Sequence, residues 1–214
     1  MIISYHGVEA FKIQFGDTVI ALNPISKESK FKSTKFGADI ALVSLNDKDM
    51  NGIENATHGE RAPFAITGPG EYEVKGIFVK GFPTVSNYGG EERINTIYSV
   101  AIEGMNVCFM GAIGSPDFGS ENNVEEAFEN IDILIVPIGG EGVLDSSASY
   151  KMAVDIEPKI IIPMHYGDIG DKNALKMFLK EAGAEKVSPI DKLTIKKKDL
   201  EGKEGEVVIL SPQI

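Results

Sequence analysis

Apolar and polar positions change rhythm about halfway along the chain. Up to Met110 the apolar residues come in short runs, alternating or continuous, separated by turn formers. Period-two runs bounded by Gly, Pro, Asn and Asp read as strands. They are predicted at residues 2–6 and 11–22 (broken by a Gly16-Asp17 turn), 39–44, 63–67, 71–83, 94–102 and 107–110. Gly68-Pro69-Gly70 is a tight turn, and Gly104-Met105-Asn106 is another. Beyond Met110 the spacing lengthens. A short amphipathic helix is predicted from Asn122 to Asn130, then a buried strand DILIVP at 132–137. Asp145 or Ser146 caps a helix running to Asp155 and stopped by Pro158. A second helix spans Asp171 to Ala182, closed by Gly183. The tail from Leu193 to Leu210 reads as a final hairpin, its edge guarded by Lys196, Lys197 and Lys198. Antiparallel strands followed by strand–helix alternation predict an α/β chain with a sheet-on-sheet core and helices outside. No repeat and no linker divides it, so residues 1–214 are expected to form one domain.

The chain is organised around Lys159 to Gly167, KIIIPMHYG. Ile160, Ile161 and Ile162 form a strand with no polar face. Pro163 lacks a donor, so the strand is predicted to end there. His165 follows at its C-terminal edge, where rigid strands hand over to functional loops. A histidine there is a ligand or base, or a half-buried ring bonded to a neighbouring carbonyl.

Composition changes the picture in few places. The chain is 43% hydrophobic and 25% charged, a globular balance. No apolar run approaches the ~20 residues of a membrane span. The start MIISYHGVEAF has no basic region and no cleavage pattern, so it reads as a strand. Cys108 is the one cysteine. It excludes an internal disulfide, fits a reducing cytoplasm, and lies in an apolar run as an inert core thiol. The net charge of −11 argues against sequence-independent nucleic-acid binding, although a local basic face is compatible with it. The lysine-rich stretch 26–37, SKESKFKSTKFG, is a solvated loop or a site for an anionic substrate.

LNDKDMNG at 45–52 is the densest cluster of carboxylates and amides. Asp47, Asp49, Asn51 and Gly52 match the opening of a calcium loop, D-x-D-x-N-G, but the twelfth position is His58 rather than glutamate. A plain acidic turn explains the same residues. His6 is expected to be a core or supporting histidine and His58 a solvated one. A hydrolytic triad of Ser86, His165 and Asp49 is disfavoured, because nothing around Ser86 resembles a nucleophile elbow. Gly139-Gly140 and Gly68-Pro69-Gly70 are tight turns or anion-facing amides.

Taken together, several stretches resemble the metallo-β-lactamase fold superfamily, in its small, bacterial, zinc-dependent hydrolase-like branch. They are YHGVEAFKI, IALNP, DIALVSLNDKDMNG, GPGEYEVKGIFVKGFPTVSNYGGEERINTIY, CFMGAIG, DILIVPIGGEGVLD and KIIIPMHYG. The resemblance covers most of residues 1–170. It implies a four-layer αββα sandwich with the active site on the rim where both sheets present loops. It also implies an H-x-H-x-D-H motif after the DIALVS strand, two further histidines and a bridging aspartate, holding two metal ions that make hydroxide at neutral pH. Carried over, the first motif histidine falls on Leu45, the second on Asp47, the aspartate on Asp49 and the third histidine on Met50. The next-loop histidine falls on Ser86, the bridging aspartate on Ala112 and the last histidine on His165. Asn23 stands where an aspartate normally supports the site.

Only Asp49 and His165 keep the family residue, with Asp47 as a harder oxygen donor. Three readings follow. In the first, the chain has lost the metal chemistry and binds a small molecule or a protein partner, with no cofactor, nucleic acid or membrane. In its dead site, His165 is expected to bond Asp49 or a backbone carbonyl, while Leu45, Met50 and Ala112 fill the metal space. In the second, Asp47, Asp49 and His165, with Glu71 or Asn46, hold one divalent ion (Mn, Fe, Mg or Zn), or Asp49 and His165 act as a metal-free hydrolase. In the third, calcium binds at Asp47, Asp49 and Asn51.

Overall fold

A computed structural model of the chain describes residues 1–118 and 123–213. Two mixed sheets lie face to face, the α/β sandwich expected. The first contains β1 (Ile2–Tyr5), β2 (Phe11–Phe15), β3 (Thr18–Leu22), β4 (Ile40–Leu42), β5 (Phe64–Ile66) and β12 (Leu193–Thr194), in the order β12-β1-β2-β3-β4-β5. The second contains β6 (Gly70–Val74), β7 (Ile77–Ser86), β8 (Arg93–Ile102), β9 (Met105–Phe109), β10 (Ile133–Pro137), β11 (Ile160–Met164) and β13 (Glu206–Val207), in the order β13-β11-β10-β9-β8-β7-β6. β12, β1, β2 and β3 pair antiparallel, as do β6, β7, β8 and β9, whereas β3, β4 and β5 run parallel in the first sheet and β9, β10, β11 and β13 in the second.

Period-two alternation decides which side chains meet. Ile20, Leu22, Ile40 and Leu42 of the first sheet pack against Ile133, Ile135, Ile160 and Ile162 of the second. The intervening residues face outward, and the two outer faces differ. On the second sheet, Cys108, Leu134, Val136 and Ile161 meet Met152, Ala153, Ala174 and Phe178 from α1 (Ser146–Ile156) and α2 (Ala174–Glu181). Burial pushes the Cys108 thiol far up, which suits a core residue. On the first sheet, the outer residues are Ala21 and Ala41, and Ala38, Ala56, Phe36 and Ile53 cover them. A loop and a 3-10 turn (Ile53–Ala56) do there what helices do opposite. At the rim, the Tyr98 hydroxyl of β8 donates to Val43 O at 2.8 Å and Ile66 O at 3.2 Å, bridging the sheets.

Several local expectations need correction. The strand at Ile160 does not stop at Pro163 but continues through it to Met164. Ile161 O accepts from Val208 N, while Ile160 N and Met164 O bond on the β10 side. Pro163 therefore faces the β13 side, where the ladder stops at Ile161↔Val207, while the β10 pairing runs on through it to Met164. The tail is not a hairpin. β12 joins β1 and β13 joins β11, in different sheets, with a 3-10 turn (Lys197–Leu200) between them. Lys197 is no mere edge guard: with Lys159 it pairs buried Asp132, each at 2.7 Å. The segment near 122–130 contributes a 3-10 helix, Val124–Phe128, and Asn122 lies outside the described residues. The α1 cap is as expected, with Asp145 accepting from Ala148 N. Among the described residues no helix is long and apolar enough to cross a membrane.

Candidate functional site

The loops after β1, β3, β4, β7, β9 and β11 converge on one rim, and His165 lies at its centre, wholly buried. Its backbone is held in the left-handed region at φ 60, with His165 N donating to Val8 O at 2.8 Å. Val8 (φ 55) and Asn23 (φ 40) are left-handed too. Non-glycine residues reach that region at an energetic cost, and such strain gathers at functional sites. Gly139 is required beside the ring: a Cβ there would sit 2.3 Å from His165 O and 2.7 Å from Cδ2.

His165 does not bond Asp49 or a carbonyl, as the sequence led us to expect. Its Nδ1 lies 2.8 Å from Glu9 Oε1, and both side chains are fully buried. Glu9 Oε2 accepts from Asn23 Nδ2 at 2.9 Å, and that amide also donates to Ser44 Oγ at 2.8 Å. Asn23 Oδ1 accepts from Ser44 N. Asn95 continues the buried polar floor, donating to Thr84 Oγ1 and Met110 O and accepting from Ala112 N. Gly111 fits over this floor because a Cβ would collide with Ser44 Oγ at 2.3 Å. Buried polar groups require such partners. His165 Nε2 has none among the described residues.

Asp49 sits on the other side of the rim. Ser29 Oγ donates to its Oδ1 at 2.5 Å and the Tyr88 hydroxyl to its Oδ2 at 2.6 Å. Tyr88 spans the two retained residues, its ring standing edge-on to His165 at 5.4 Å between centroids. Burial first, then the hydrogen bond to Asp49, push the Tyr88 phenol strongly upward, so it stays a neutral donor. Leu45, Met50, Ala112 and Val143 form one buried cluster with Tyr88 packed against it. Asp47 turns away, taking Arg93 Nη2 at 3.0 Å on Oδ2 and Asp49 N on Oδ1. That last bond makes 47–49 the acidic turn anticipated as one alternative. Asn51 bonds Asn46, and exposed His58 pairs its backbone with Arg61, so the spacing that suggested calcium brings no ligand set together. Ser86 Oγ accepts from Tyr88 N and bonds neither His165 nor Asp49. Glu71 is exposed and pairs with Lys80. His6 lies between Ser4 Oγ and Gln213 O. Among the described residues no three His, Cys, Asp or Glu side chains are grouped as a metal site.

Glu9 is the site residue that the sequence reading missed. It lies in VEA between two apolar residues at a strand connection, and its partner is far along the chain. A carboxylate inside that apolar context was the available signal.

A family model described as a beta-lactamase superfamily domain matches residues 2–165. A UPF0173 metal-dependent hydrolase from Thermoplasma acidophilum is 25% identical over 188 residues, 77% of this chain and 82% of its own. A UPF0173 protein from Pyrococcus abyssi is 50% identical over 48 residues, a local match covering 21% of each chain. Among solved structures, a Zn-dependent hydrolase of the metallo-beta-lactamase superfamily from Thermotoga maritima superposes with a TM-score of 0.74 at 24% identity, covering 98% of this chain and 97% of its own. Igni18, a metallo hydrolase from Ignicoccus hospitalis, gives a TM-score of 0.66 at 17% identity, covering 100% and 96%.

Proposed function

The chain belongs to the beta-lactamase superfamily, and from that premise we propose that it is a non-catalytic member whose metal rim has become a packed hub, its function being to bind a ligand or partner. One observation carries this reading: both carboxylate oxygens of Asp49 accept hydroxyl hydrogens from Ser29 and Tyr88. Leu45, Met50 and Ala112, which stand where the resemblance places ligands, pack with Tyr88 beside them. The donors do not fit the metal pair that the resemblance implies. Asp47 is engaged by Arg93, and the one unpartnered nitrogen of the rim's histidine, His165 Nε2, falls short of the three protein ligands a catalytic zinc takes. The side chains hold one another instead.

Elemental mass spectrometry tests the reading. Protein purified without affinity-resin metal is measured before and after soaking with Zn²⁺, Mn²⁺ and Ca²⁺. The expected result is substoichiometric metal throughout, with no hydrolysis of lactam, thioester or phosphodiester substrates. Stoichiometric metal that disappears in Asp49→Ala or His165→Ala would instead establish a single-ion hydrolase using Asp47, Asp49 and His165. The unpartnered Nε2 is the feature that favours that second reading.

A further inference from the structure

Positive charge is spread unevenly over this acidic chain. Lys27, Lys30, Lys32 and Lys35 all project into solvent from the loop that leaves Ser26 and returns at Gly37. The loop is ordered by its own anchors rather than by a helix or strand. Ser26 Oγ donates to Glu54, Ser29 Oγ to Asp49, Thr34 Oγ1 to Gln213 O, and Phe36 N to Asn55 O. Two small hollows flank it, one of about 140 Å³ with Phe31 and Lys32 in its wall, the other of about 210 Å³ with Phe36, Lys12 and Lys192. Pro212 borders the first and Gln213 the second, so one stretch of tail separates them. Lys30 lies 4.9 Å from the Phe31 ring centroid and Lys12 lies 5.6 Å from that of Phe36.

Among the described residues these six lysines make no ion pair; most of the other lysines make none either, and five (Lys75, Lys80, Lys159, Lys197 and Lys203) do. Acids share this face with them: Glu28 within the loop, Glu54 and Asp49 at its anchors, and Asp168 at the first hollow, and Glu54 feels the charge of Lys27. Exposed ammonium groups gathered on one loop fit a ligand that repeats its negative charge. Aromatic rings set between them fit a ligand that also repeats a flat, apolar group. We propose that this face binds a single-stranded nucleic acid, its phosphates along the lysine row and a base in each hollow beside Phe31 and Phe36. The proposal rests on the non-catalytic reading above, because the loop is tied to the rim through Asp49, which on that reading holds Ser29 rather than a metal. The chain's charge of −11 confines binding to this one face and leaves it salt-sensitive.

Fluorescence anisotropy of the full chain with a labelled mixed-sequence single strand, as RNA and as DNA, tests this. Saturable binding is expected at 50 mM salt. Three neutralised phosphates give a log–log salt slope of about −2, or roughly a twenty-fold loss of affinity between 50 and 200 mM. The triple change Lys30→Gln, Lys32→Gln, Lys35→Gln should weaken binding at least about tenfold and flatten the slope, with the melting temperature unchanged. Lys172→Gln with Lys176→Gln, away from the loop, should leave binding intact. Three results would overturn the proposal: no saturable binding by folded protein, a triple variant that binds like the parent, or equal or tighter binding of duplex, polyglutamate or anionic vesicles. The two claims fail separately. Stoichiometric metal sinks the non-catalytic reading whatever the titration gives, while a flat titration of metal-free protein sinks this proposal alone.

Discussion

His165 and Asp49, the two residues that the resemblance marks as family ligands, are held in opposite ways. His165 has become part of the core. It is fully buried, its partner Glu9 is fully buried, and Asn23 and Ser44 extend the same network beneath it. Asp49 has become a tie point for surface segments, one oxygen on the 26–37 loop and one on the Tyr88 turn. The contrast teaches that two residues brought to one rim need not be held in the same way. A position under the sheets is satisfied by buried polar partners, and a position at the mouth by loops that close over it.

The largest effect should come from the buried side. Glu9→Ala leaves His165 Nδ1 and Asn23 Nδ2 without their acceptor, and breaking a buried charged or polar pair costs about 3–5 kcal/mol. Urea unfolding would read this, and a loss under about 1 kcal/mol would mean that the network is wetter than the structure has it. Asp49→Ala should cost less, about 1–3 kcal/mol, since two hydroxyls lose an acceptor at a partly open place. Hydrogen exchange sharpens the comparison: residues 26–37 and 87–90 should exchange faster in this variant while β11 stays protected. Uniform acceleration of both would erase the distinction between core and tie point.

Tyr88→Phe deletes one hydroxyl and keeps the ring over His165, so a loss of about 1 kcal/mol is expected with the loop 26–37 undisturbed. The smallest effect lies away from the rim, at Asp132. Burial raises this carboxyl, but Lys159, Lys197 and the Asn106 N–H outweigh it and hold Asp132 below its ordinary value of 3.8. A depressed carboxyl contributes stability above the unfolded value and loses it as pH falls through the folded one. Lys197→Met should therefore cost no more than about 1 kcal/mol at neutral pH, because that lysine is half exposed, and the difference should shrink below about pH 4. Thermal melts across pH 3–7 would show a gap between variant and parent that closes on the acid side.

Much of this architecture was legible before the structure. Strand alternation announced both sheets, and Asp145 before an apolar run announced α1. Apolar Leu45, Met50 and Ala112, at the positions where the resemblance implies ligands, led to the expectation of their shared cluster, because such side chains gain by packing against one another. What escaped reading depended on long-range placement. Glu9 looked like an ordinary polar position until folding set it under His165. The tail looked like a hairpin because its two short strands are close in sequence, yet each found a free edge on a different sheet. Pro163 looked like a terminator, and the β13 ladder does stop before it, but the β10 pairing on the strand's other side carries the strand on to Met164.

The central claim is that Asp49 and His165 are held by protein partners rather than by metal. Long-range proton–nitrogen NMR of the His165 ring, recorded without metal and with stoichiometric Zn²⁺, tests it most directly. The account predicts a slowly exchanging Nδ1–H, lost in Glu9→Ala, and an Nε2 resonance unmoved by zinc. An Nε2 signal that shifts in step with one equivalent of zinc, in parent but not in Asp49→Ala, would contradict it.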